Sequence, residues 1–259
     1  MRFLLLLCSL LLFTSTSAQA VDFDHKHSAW NTLLQAHVKW VGGVASQVDY
    51  DAIKQEKNAL DAYTQSLSEV TSADFDSWSK PEQLAFLINA YNAFTVELIL
   101  SEYPDLDSIK DIGGWFGSPW KQEFFSLLGK TRTLDQVEHD LIRGSGRYNE
   151  PRIHVAVVCA SIGCPALRSE AFVAEQLEAQ LADSMTKFLS DPSRNSYNNG
   201  TLMVSKIFDW YGSDFASLET LFAEHAMQLA SASVDRQRIR AGDYSLAFGD
   251  YDWALNDVK

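Results

Sequence analysis

Residues 79–102 read SKPEQLAFLINAYNAFTVELILSE, and this stretch decides the fold. Ser79 and Glu82 have the spacing of a capping box, and Pro81 suits the first turn of a helix, so a helix is expected to begin at about residue 80. Pro104 ends it at about residue 102. Because apolar residues occupy nearly every face, this helix is predicted to be buried on all sides.

The rest of the chain divides into further helices and a few short strands. The segments predicted as helices, from apolar residues three and four apart, are 24–40, 50–69, 134–143, 170–190 and 214–231. The segments predicted as strands are a hairpin over 123–134, Ile153–Val158, 201–204 and Tyr244–Phe248. Since helices dominate and the strands are local, the predicted class is α+β: a mostly helical single domain over 21–259 with a small, mainly antiparallel sheet.

The overall charge excludes one class of partner. The 259 residues include 21 basic and 34 acidic side chains, a formal net charge of −13, with 46% hydrophobic residues. These proportions are those of a globular protein and not of a disordered chain. A chain this acidic lacks the clustered Lys and Arg that neutralise phosphates, so no nucleic-acid partner is expected.

The N-terminus has the pattern of a secretory signal peptide over residues 1–20. A basic Arg2 precedes an apolar run over 3–13, and Ala18-Gln19-Ala20 is the small-x-small pattern that signal peptidase recognises. We therefore expect cleavage after Ala20 and a periplasmic or secreted protein with no membrane insertion of the mature chain. That compartment is oxidising, so the two remaining cysteines, Cys159 and Cys164, can form a disulfide.

Two asparagines, Asn89 and Asn92, lie on one side of the central helix. In a helix buried on all sides they need hydrogen-bond partners in the interior. They either hold the backbone of a neighbouring loop, or one of them faces a cleft and donates to a substrate or to a catalytic histidine.

A second polar group lies on the apolar stripe of the helix over 134–143. Glu138 shares that stripe with Leu134 and Val137, where a carboxylate is costly unless it is paired, and His139 lies at its edge. The partner of Glu138 is expected to be a basic side chain. The candidates, which are also the candidate substrate-binding side chains, are Arg143, Arg152 and His154.

The segment Ile153–Val158 is predicted to deliver Cys159 to the end of a strand, before a turn of small residues that ends at Cys164. A thiolate at such a position, paired with an imidazole, is a strong nucleophile. Two structural alternatives stay open: a Cys159–Cys164 disulfide and an inert buried thiol. His154 lies on the opposite face of the predicted strand, so His139 is the more suitable base for Cys159. The turn amides after Cys159 are the expected oxyanion donors.

No metal or other cofactor is predicted. The chain contains neither a Cys-x-x-Cys nor a His-Glu-x-x-His spacing, and its histidines and cysteines do not match the ligand spacing of a zinc site.

These residues together resemble the bacterial branch of the domain-of-unknown-function family 547. The resemblance is carried by the Leu84–Ala93 helix, Glu138-His139, the Cys159–Pro165 segment, Lys206–Tyr211 and Tyr251–Asn256, and extends over nearly the whole chain after residue 20. The family name implies no settled activity. The same ingredients resemble papain-like and transglutaminase-like hydrolases, but histidine precedes cysteine here, the reverse of their order, so this likeness is an analogy.

The leading functional hypothesis is an exported cysteine-dependent hydrolase or acyltransferase acting on amides or thioesters. Cys159 is the nucleophile, His139 the base, and Glu138, Asn89 or Asn92 orients the imidazole. The substrates expected are small peptides or thiol conjugates. A non-catalytic binding or scaffold domain and a thiol–disulfide oxidoreductase using both cysteines are the alternatives, and the sequence leaves the oligomeric state open.

Overall fold

The structure is a computed structural model that describes residues 23–113 and 117–258. The signal peptide predicted over residues 1–20 lies outside the described residues. Within them the fold is α+β, with helices contributing about half of the chain, as the sequence predicted.

The elements follow one another with short connections. The helices are α1 (Ser28–His37), α2 (Tyr50–Gln55), α3 (Lys57–Glu69), α4 (Ser72–Ser77), α5 (Lys80–Glu102), α6 (Leu177–Leu189), α7 (Ile207–Tyr211), α8 (Leu218–Glu224), α9 (Ala226–Leu229) and α10 (Ser233–Arg240). The strands are β1 (Val38–Val41), β2 (Ala45–Val48), β3 (Phe125–Leu127), β4 (Lys130–Arg132), β5 (Ser196–Asn198), β6 (Thr201–Val204) and β7 (Ser245–Phe248).

Helix α5 is the centre of the fold, and its predicted start is confirmed. The Ser79 hydroxyl accepts from the amide of Glu82, and the Glu82 carboxylate accepts from the amide of Ser79 at 2.8 Å. By length and composition α5 could cross a membrane, with a mean hydropathy of 1.4 over 18 residues. However, 89% of that window is buried inside the protein. Its apolar surface is therefore covered by the other elements.

The strands form three small sheets rather than one. β1 pairs antiparallel with β2, and β3 pairs antiparallel with β4. In the third sheet β6 pairs antiparallel with β5 and parallel with β7. The prediction of local, mainly antiparallel strands is confirmed, whereas the prediction of a single sheet is wrong.

Several predicted helices are shorter than expected or broken. α1 ends at His37, where the β1–β2 hairpin begins, and residues 50–69 form two helices that meet at Glu56. Residues 214–231 form α8 and α9, separated by His225. Helix α10 lies outside every segment predicted as a helix.

The predicted strand over Ile153–Val158 is wrong. Pro151–Val155 is a 3-10 helix that begins with proline, and an asparagine side chain, described below, supplies backbone partners where a neighbouring strand would have. The apolar run reflects burial alone, since periodicity cannot separate a buried strand from a short buried helix. Cys159 therefore follows a helical turn, and the argument from strand faces that separated it from His154 no longer applies.

This short helix joins the two parts of the core. Ile153 and Ala156 belong to a large cluster of buried residues around α5, whereas Val155 belongs to a smaller cluster around α6 and α7. The side chain of Tyr251 packs against both clusters. The functional site described next lies along this junction.

Candidate functional site

A cavity of about 300 Å³ opens at the junction of the two clusters. Its polar lining includes Cys159, Cys164, Glu138, His139 and His154. Four of these were candidate site residues from the sequence, and the fold brings them together from three separate segments. We call Cys159, Cys164 and Tyr251 the sulfur side of the cavity, and Glu138 and His154, together with Asp214 behind them, its acid side.

On the sulfur side, Cys159 and Cys164 are joined by a disulfide. This is one of the two structural alternatives left open by the sequence, and it means that Cys159 is not a free thiol in this form. Cys164 is buried, whereas Cys159 is half-buried. The hydroxyl of Tyr251 lies 3.0 Å from both sulfur atoms.

The C-terminal segment holds the loop between the two cysteines. The amides of Ile162 and Gly163 donate to the carbonyls of Ala254 and Asp252, both at 2.8 Å. A Cβ on Gly163 would lie 2.9 Å from backbone atoms of Asp252, so this close approach requires glycine. These two turn amides are occupied and do not serve as the predicted oxyanion donors.

On the acid side, Glu138 lies in a π-helix over Gln136–Arg143. π-helical turns are rare and frequent at functional sites. The wider turn buries Val137 and Ile142, five residues apart, while Glu138 is buried as the sequence predicted. Burial, which disfavours the charged form, raises the pKa of Glu138. The positive charge of the Arg143 guanidinium lowers it, but offsets burial only in part.

Of the three basic side chains expected as partners of Glu138, Arg143 and Arg152 do not form a direct pair with it. The charged nitrogens of Arg143 contact Asp214 and His139 instead, and the Arg152 guanidinium contacts Glu150 and Glu178. The nearest charged or chargeable partner is His154, whose Nδ1 lies 3.8 Å from Glu138 Oε1.

His154 connects Glu138 to a second carboxylate. Its Nε2 lies 2.8 Å from Asp214 Oδ2, and its ring stacks on Tyr211 with centroids 4.1 Å apart. Burial lowers the pKa of His154 to about 4, although the bond to Asp214 acts in the opposite direction. Two hydrogen bonds from Arg143, of 2.6 and 2.9 Å, hold the pKa of Asp214 at about 2.

The ring of His139, the predicted base, is bonded to Arg143 and not to Cys159. Its Nδ1 lies 2.7 Å from Arg143 Nη1, and because arginine can only donate, Nδ1 accepts this bond and the neutral ring carries its proton on Nε2. The polar neighbours of the Cys159 sulfur are Tyr251 and Ser161, not a histidine. The Cys159–His139 pair expected from the sequence is therefore not formed in this state.

The two asparagines of α5 form hydrogen bonds with backbone groups of other segments and do not line the cavity. The Asn89 carboxamide donates to the carbonyl of Phe172 at 2.7 Å and accepts from its amide at 3.0 Å. The Asn92 carboxamide donates to Ala156 and accepts from Val158, both at 2.9 Å. Both side chains are buried and bonded to backbone groups away from His139, and Asn92 positions the segment before Cys159.

Arg143 and Arg152, the other predicted substrate-binding residues, do not line this cavity. Arg143 lines a second, polar cavity of about 500 Å³, which it shares with Asp214 and His139. Arg152 is saturated by its two glutamates. His154 does line the first cavity, although its side chain is only 1% exposed.

Aromatic rings form most of the remaining wall. Among the described residues, six aromatic side chains line the cavity: Tyr91, Trp120, Trp210, Tyr211, Tyr251 and Trp253. The rings of Tyr251 and Trp253 lie 4.5 Å apart, and those of Trp210 and Tyr251 lie 5.0 Å apart. Trp210 is 43% exposed, so the cavity has an accessible aromatic rim suited to binding a small ligand.

Asp214, Tyr211 and Tyr251 were not predicted as site residues. They lie 47 to 113 residues along the chain from the cysteines and the glutamate, with no local pattern that marks them. The signal that pointed closest to them was the family resemblance of the segments Lys206–Tyr211 and Tyr251–Asn256. Among the residues the structure describes, no group of three His, Cys, Asp or Glu side chains is placed to hold a metal ion.

Fold and site together define an α+β protein with an aromatic cavity that bears a disulfide on one side and a buried acid–imidazole pair on the other. The family model described as "Protein of unknown function, DUF547" matches residues 75–189, and over that part the chain is similar to this family. The match includes α5, Glu138, His139, His154 and both cysteines, but is narrower than the resemblance seen in the sequence. No curated protein and no solved structure matches the chain.

Proposed function

We propose that this protein is an exported hydrolase or acyltransferase for amides or thioesters, with Cys159 as its nucleophile once the disulfide is reduced. The observation that carries the proposal is that the Cys159 sulfur lines the same cavity as Glu138, His139 and His154. A nucleophile, proton-carrying groups and a space for a small acyl compound are the components of covalent acyl transfer.

The disulfide form is the resting form in this proposal. A dithiol reductant converts it to two thiols and is itself oxidised to a disulfide. Cys159 is the thiol that a substrate reaches, because Cys164 is only 3% exposed. The Tyr251 hydroxyl, 3.0 Å from the sulfur, then donates to the Cys159 thiolate and favours it over the thiol.

The test uses three forms of the mature chain: wild type, Cys159→Ser and Cys164→Ser. Each is incubated with a small activated ester and a small thioester, with and without dithiothreitol, and acylation is located by intact mass and peptide mapping. We expect wild type to be acylated only after reduction, Cys164→Ser to be acylated without reductant, and Cys159→Ser to stay unmodified. Acylation that persists in Cys159→Ser contradicts the proposal.

A thiol–disulfide oxidoreductase is the second candidate, because the disulfide itself lies in the cavity wall with one sulfur accessible. The variant Cys164→Ser separates the two functions. An oxidoreductase needs both sulfurs to release its partner. In this variant the Cys159 thiolate attacks added glutathione disulfide, forms a mixed disulfide and releases one glutathione thiol, and the reaction then stops without turnover. A hydrolase keeps its turnover without Cys164. Ligand binding with no turnover in any variant would instead support a binding domain.

Export is a separate part of the proposal and has its own measurement. Intact mass of protein from the periplasm or the medium is expected to show a chain that begins at Val21. A full-length chain in the soluble fraction would contradict it.

A further inference from the structure

The acid side of the cavity contains a line of three ionisable groups that the proposed nucleophile does not explain. Asp214 Oδ2 lies 2.8 Å from His154 Nε2, and His154 Nδ1 lies 3.8 Å from Glu138 Oε1. The three groups come from a 3-10 turn, the helical turn before the cysteine loop, and the π-helix. Such a line of carboxylate, imidazole and carboxyl fixes where the protons lie.

The positions of the protons follow from the fixed charges. Arg143 holds Asp214 as a carboxylate through two hydrogen bonds, so Asp214 can only accept, and Nε2 of His154 must carry a proton. With the ring neutral, Nδ1 is left as an acceptor facing Glu138. A protonated Glu138 suits this arrangement, because a neutral ring nitrogen 3.8 Å away offers a carboxylate no charge compensation and, on closer approach, can accept from a carboxyl hydroxyl.

The remaining neighbours of Glu138 act on its pKa in both directions, and burial, which raises the pKa, is the largest influence. The Tyr91 phenol from α5 hydrogen-bonds to Glu138 and lowers its pKa, while the Tyr211 phenol from α7 lies beside it; both phenols stay un-ionised because burial raises their pKa. Asp135, one turn earlier, is a like charge. On its own helix the cations that act on it are Arg143 and, when protonated, His139.

A purely structural ion pair would look different. A buried glutamate kept for stability is normally paired with a basic side chain, but the nitrogens of Arg143 are taken by Asp214 and His139. Glu138 instead reaches the lining of the cavity with no direct cationic partner.

From this geometry we infer that Glu138, and not His139, is the group that gives and takes protons in the cavity, with His154 and Asp214 as positioning residues behind it. The step that it serves rests on the proposed function. The Cys159 thiolate attacks the substrate carbonyl while Glu138 protonates the leaving amine or thiol, which yields the thioester and the Glu138 carboxylate. Water then loses a proton to Glu138 and attacks the thioester, which releases the acid and restores both the thiolate and the neutral carboxyl.

The arrangement of protons is tested without any substrate. In wild type at neutral pH, infrared spectroscopy is expected to detect the carbonyl stretch of a protonated carboxylic acid, and nitrogen NMR is expected to report His154 with its proton on Nε2. The infrared band is lost in Glu138→Gln. Glu97→Gln is the matched control, since burial also raises the pKa of Glu97 but it lies away from the cavity. An ionised Glu138 at neutral pH overturns the inference.

Asp214→Asn supplies a readout that a merely structural residue would not change. The asparagine amide can donate to Nε2, which moves the proton of His154 to Nδ1 and favours an ionised Glu138, so the NMR signature and the infrared band are expected to change together. Asp214→Glu is expected to restore both. Retention of both signals in Asp214→Asn contradicts the positioning role.

The catalytic part is tested in the Cys164→Ser form, where Cys159 is free. Glu138→Gln is expected to slow turnover of a thioester by about 10²–10⁴-fold, whereas His139→Gln changes it far less. The reverse order returns the role to His139 and overturns the inference. If no variant is acylated but the spectroscopic signals are present, the proposed function fails while the proton arrangement stands. If Cys159 is acylated but Glu138 is ionised at neutral pH, the proposed function stands and the proton arrangement fails.

Discussion

The sulfur side and the acid side of the cavity are held in place by different means. Backbone hydrogen bonds from the C-terminal segment to Ile162 and Gly163 fix the loop of the sulfur side, and its chemistry can change with redox state. Side-chain contacts through Asp214 fix the acid side, and its chemistry changes with pH. The two sides should therefore respond to different perturbations, and each prediction below acts on one side or on their link.

The largest expected effect is a loss of stability in acid that belongs to the acid side. Burial lowers the pKa of His154 from 6.5 to about 4, so the folded protein resists protonating a ring that the unfolded chain protonates readily. The stabilisation is complete above pH 6.5 and is lost as the pH falls toward 4. It amounts to at most about 3 kcal/mol at about 1.36 kcal/mol per pKa unit. Urea unfolding at pH 7 and pH 4 measures it.

The matched variants for this measurement are His154→Gln and His139→Gln. His154→Gln should flatten the dependence between pH 4 and 6.5, while His139→Gln should leave it in place. An equally steep dependence in both variants would assign the acid sensitivity to other groups.

The next effect concerns the segment between His154 and Cys159, which links the acid side to the sulfur side. Asn92 bonds the carbonyl of Ala156 and the amide of Val158, which lie between His154 and Cys159. Asn92→Leu leaves two buried backbone groups without partners and should lower the free energy of unfolding by about 2–3 kcal/mol. Asn89→Leu should cost a similar amount, since its two bonds to Phe172 are also buried. Only Asn92→Leu should also alter the NMR signals of His154.

Unfolding midpoints together with the histidine spectra separate these two variants. Unchanged midpoints in both would mean that the asparagines face solvent. A disturbed His154 signal in Asn89→Leu would mean that the link is not specific to Asn92.

Reduction of the disulfide should have a smaller effect, confined to the sulfur side. The two cysteines are five residues apart, and closing a loop this short constrains the unfolded chain by only about 2 kcal/mol. The stability lost on adding dithiothreitol should be smaller at pH 7 than at pH 5, because the Tyr251 hydroxyl stabilises the Cys159 thiolate, which forms in the reduced protein as the pH rises. The double variant with Cys159→Ser and Cys164→Ser should show no response to the reductant.

The sequence predicted the parts of this molecule whose causes are local. The capping box of α5 and the burial of Glu138 follow from residue spacing within one helix, and both are confirmed. The 123–134 hairpin is also confirmed, with strands shorter than expected. The strand predicted over 153–158 is wrong because an apolar run indicates burial and not backbone conformation. The conformation of this segment depends on its tertiary partner Asn92.

The candidate site was predictable only in part. Glu138, His139, His154 and Cys159 could be chosen because each is a reactive group in an apolar context, and all four line one cavity. The contacts within the site depend on Asp214, which lies in a 3-10 turn distant in sequence. Asp214 binds Arg143, one of the expected partners of Glu138. Because Arg143 bonds to Asp214 and His139, it does not pair directly with Glu138.

The smallest expected effect tests what holds the sulfur side ready for chemistry. In the Cys164→Ser form, the hydroxyl of Tyr251 is the donor closest to the Cys159 sulfur, at 3.0 Å, and Ser161 is farther away at 3.6 Å. A hydrogen bond to a charged acceptor contributes about 1.5–3 kcal/mol, so Tyr251→Phe should reduce alkylation by iodoacetamide at pH 6 by about tenfold or more. The free energy of unfolding should change by less than about 1 kcal/mol, because the ring and its packing against both core clusters remain.

Tyr244→Phe, a tyrosine that does not line the cavity, is the control and should leave the alkylation rate unchanged. If Tyr251→Phe alkylates at the rate of its parent, the hydroxyl does not stabilise the thiolate. If it also unfolds at a much lower urea concentration, the hydroxyl holds the C-terminal segment in place.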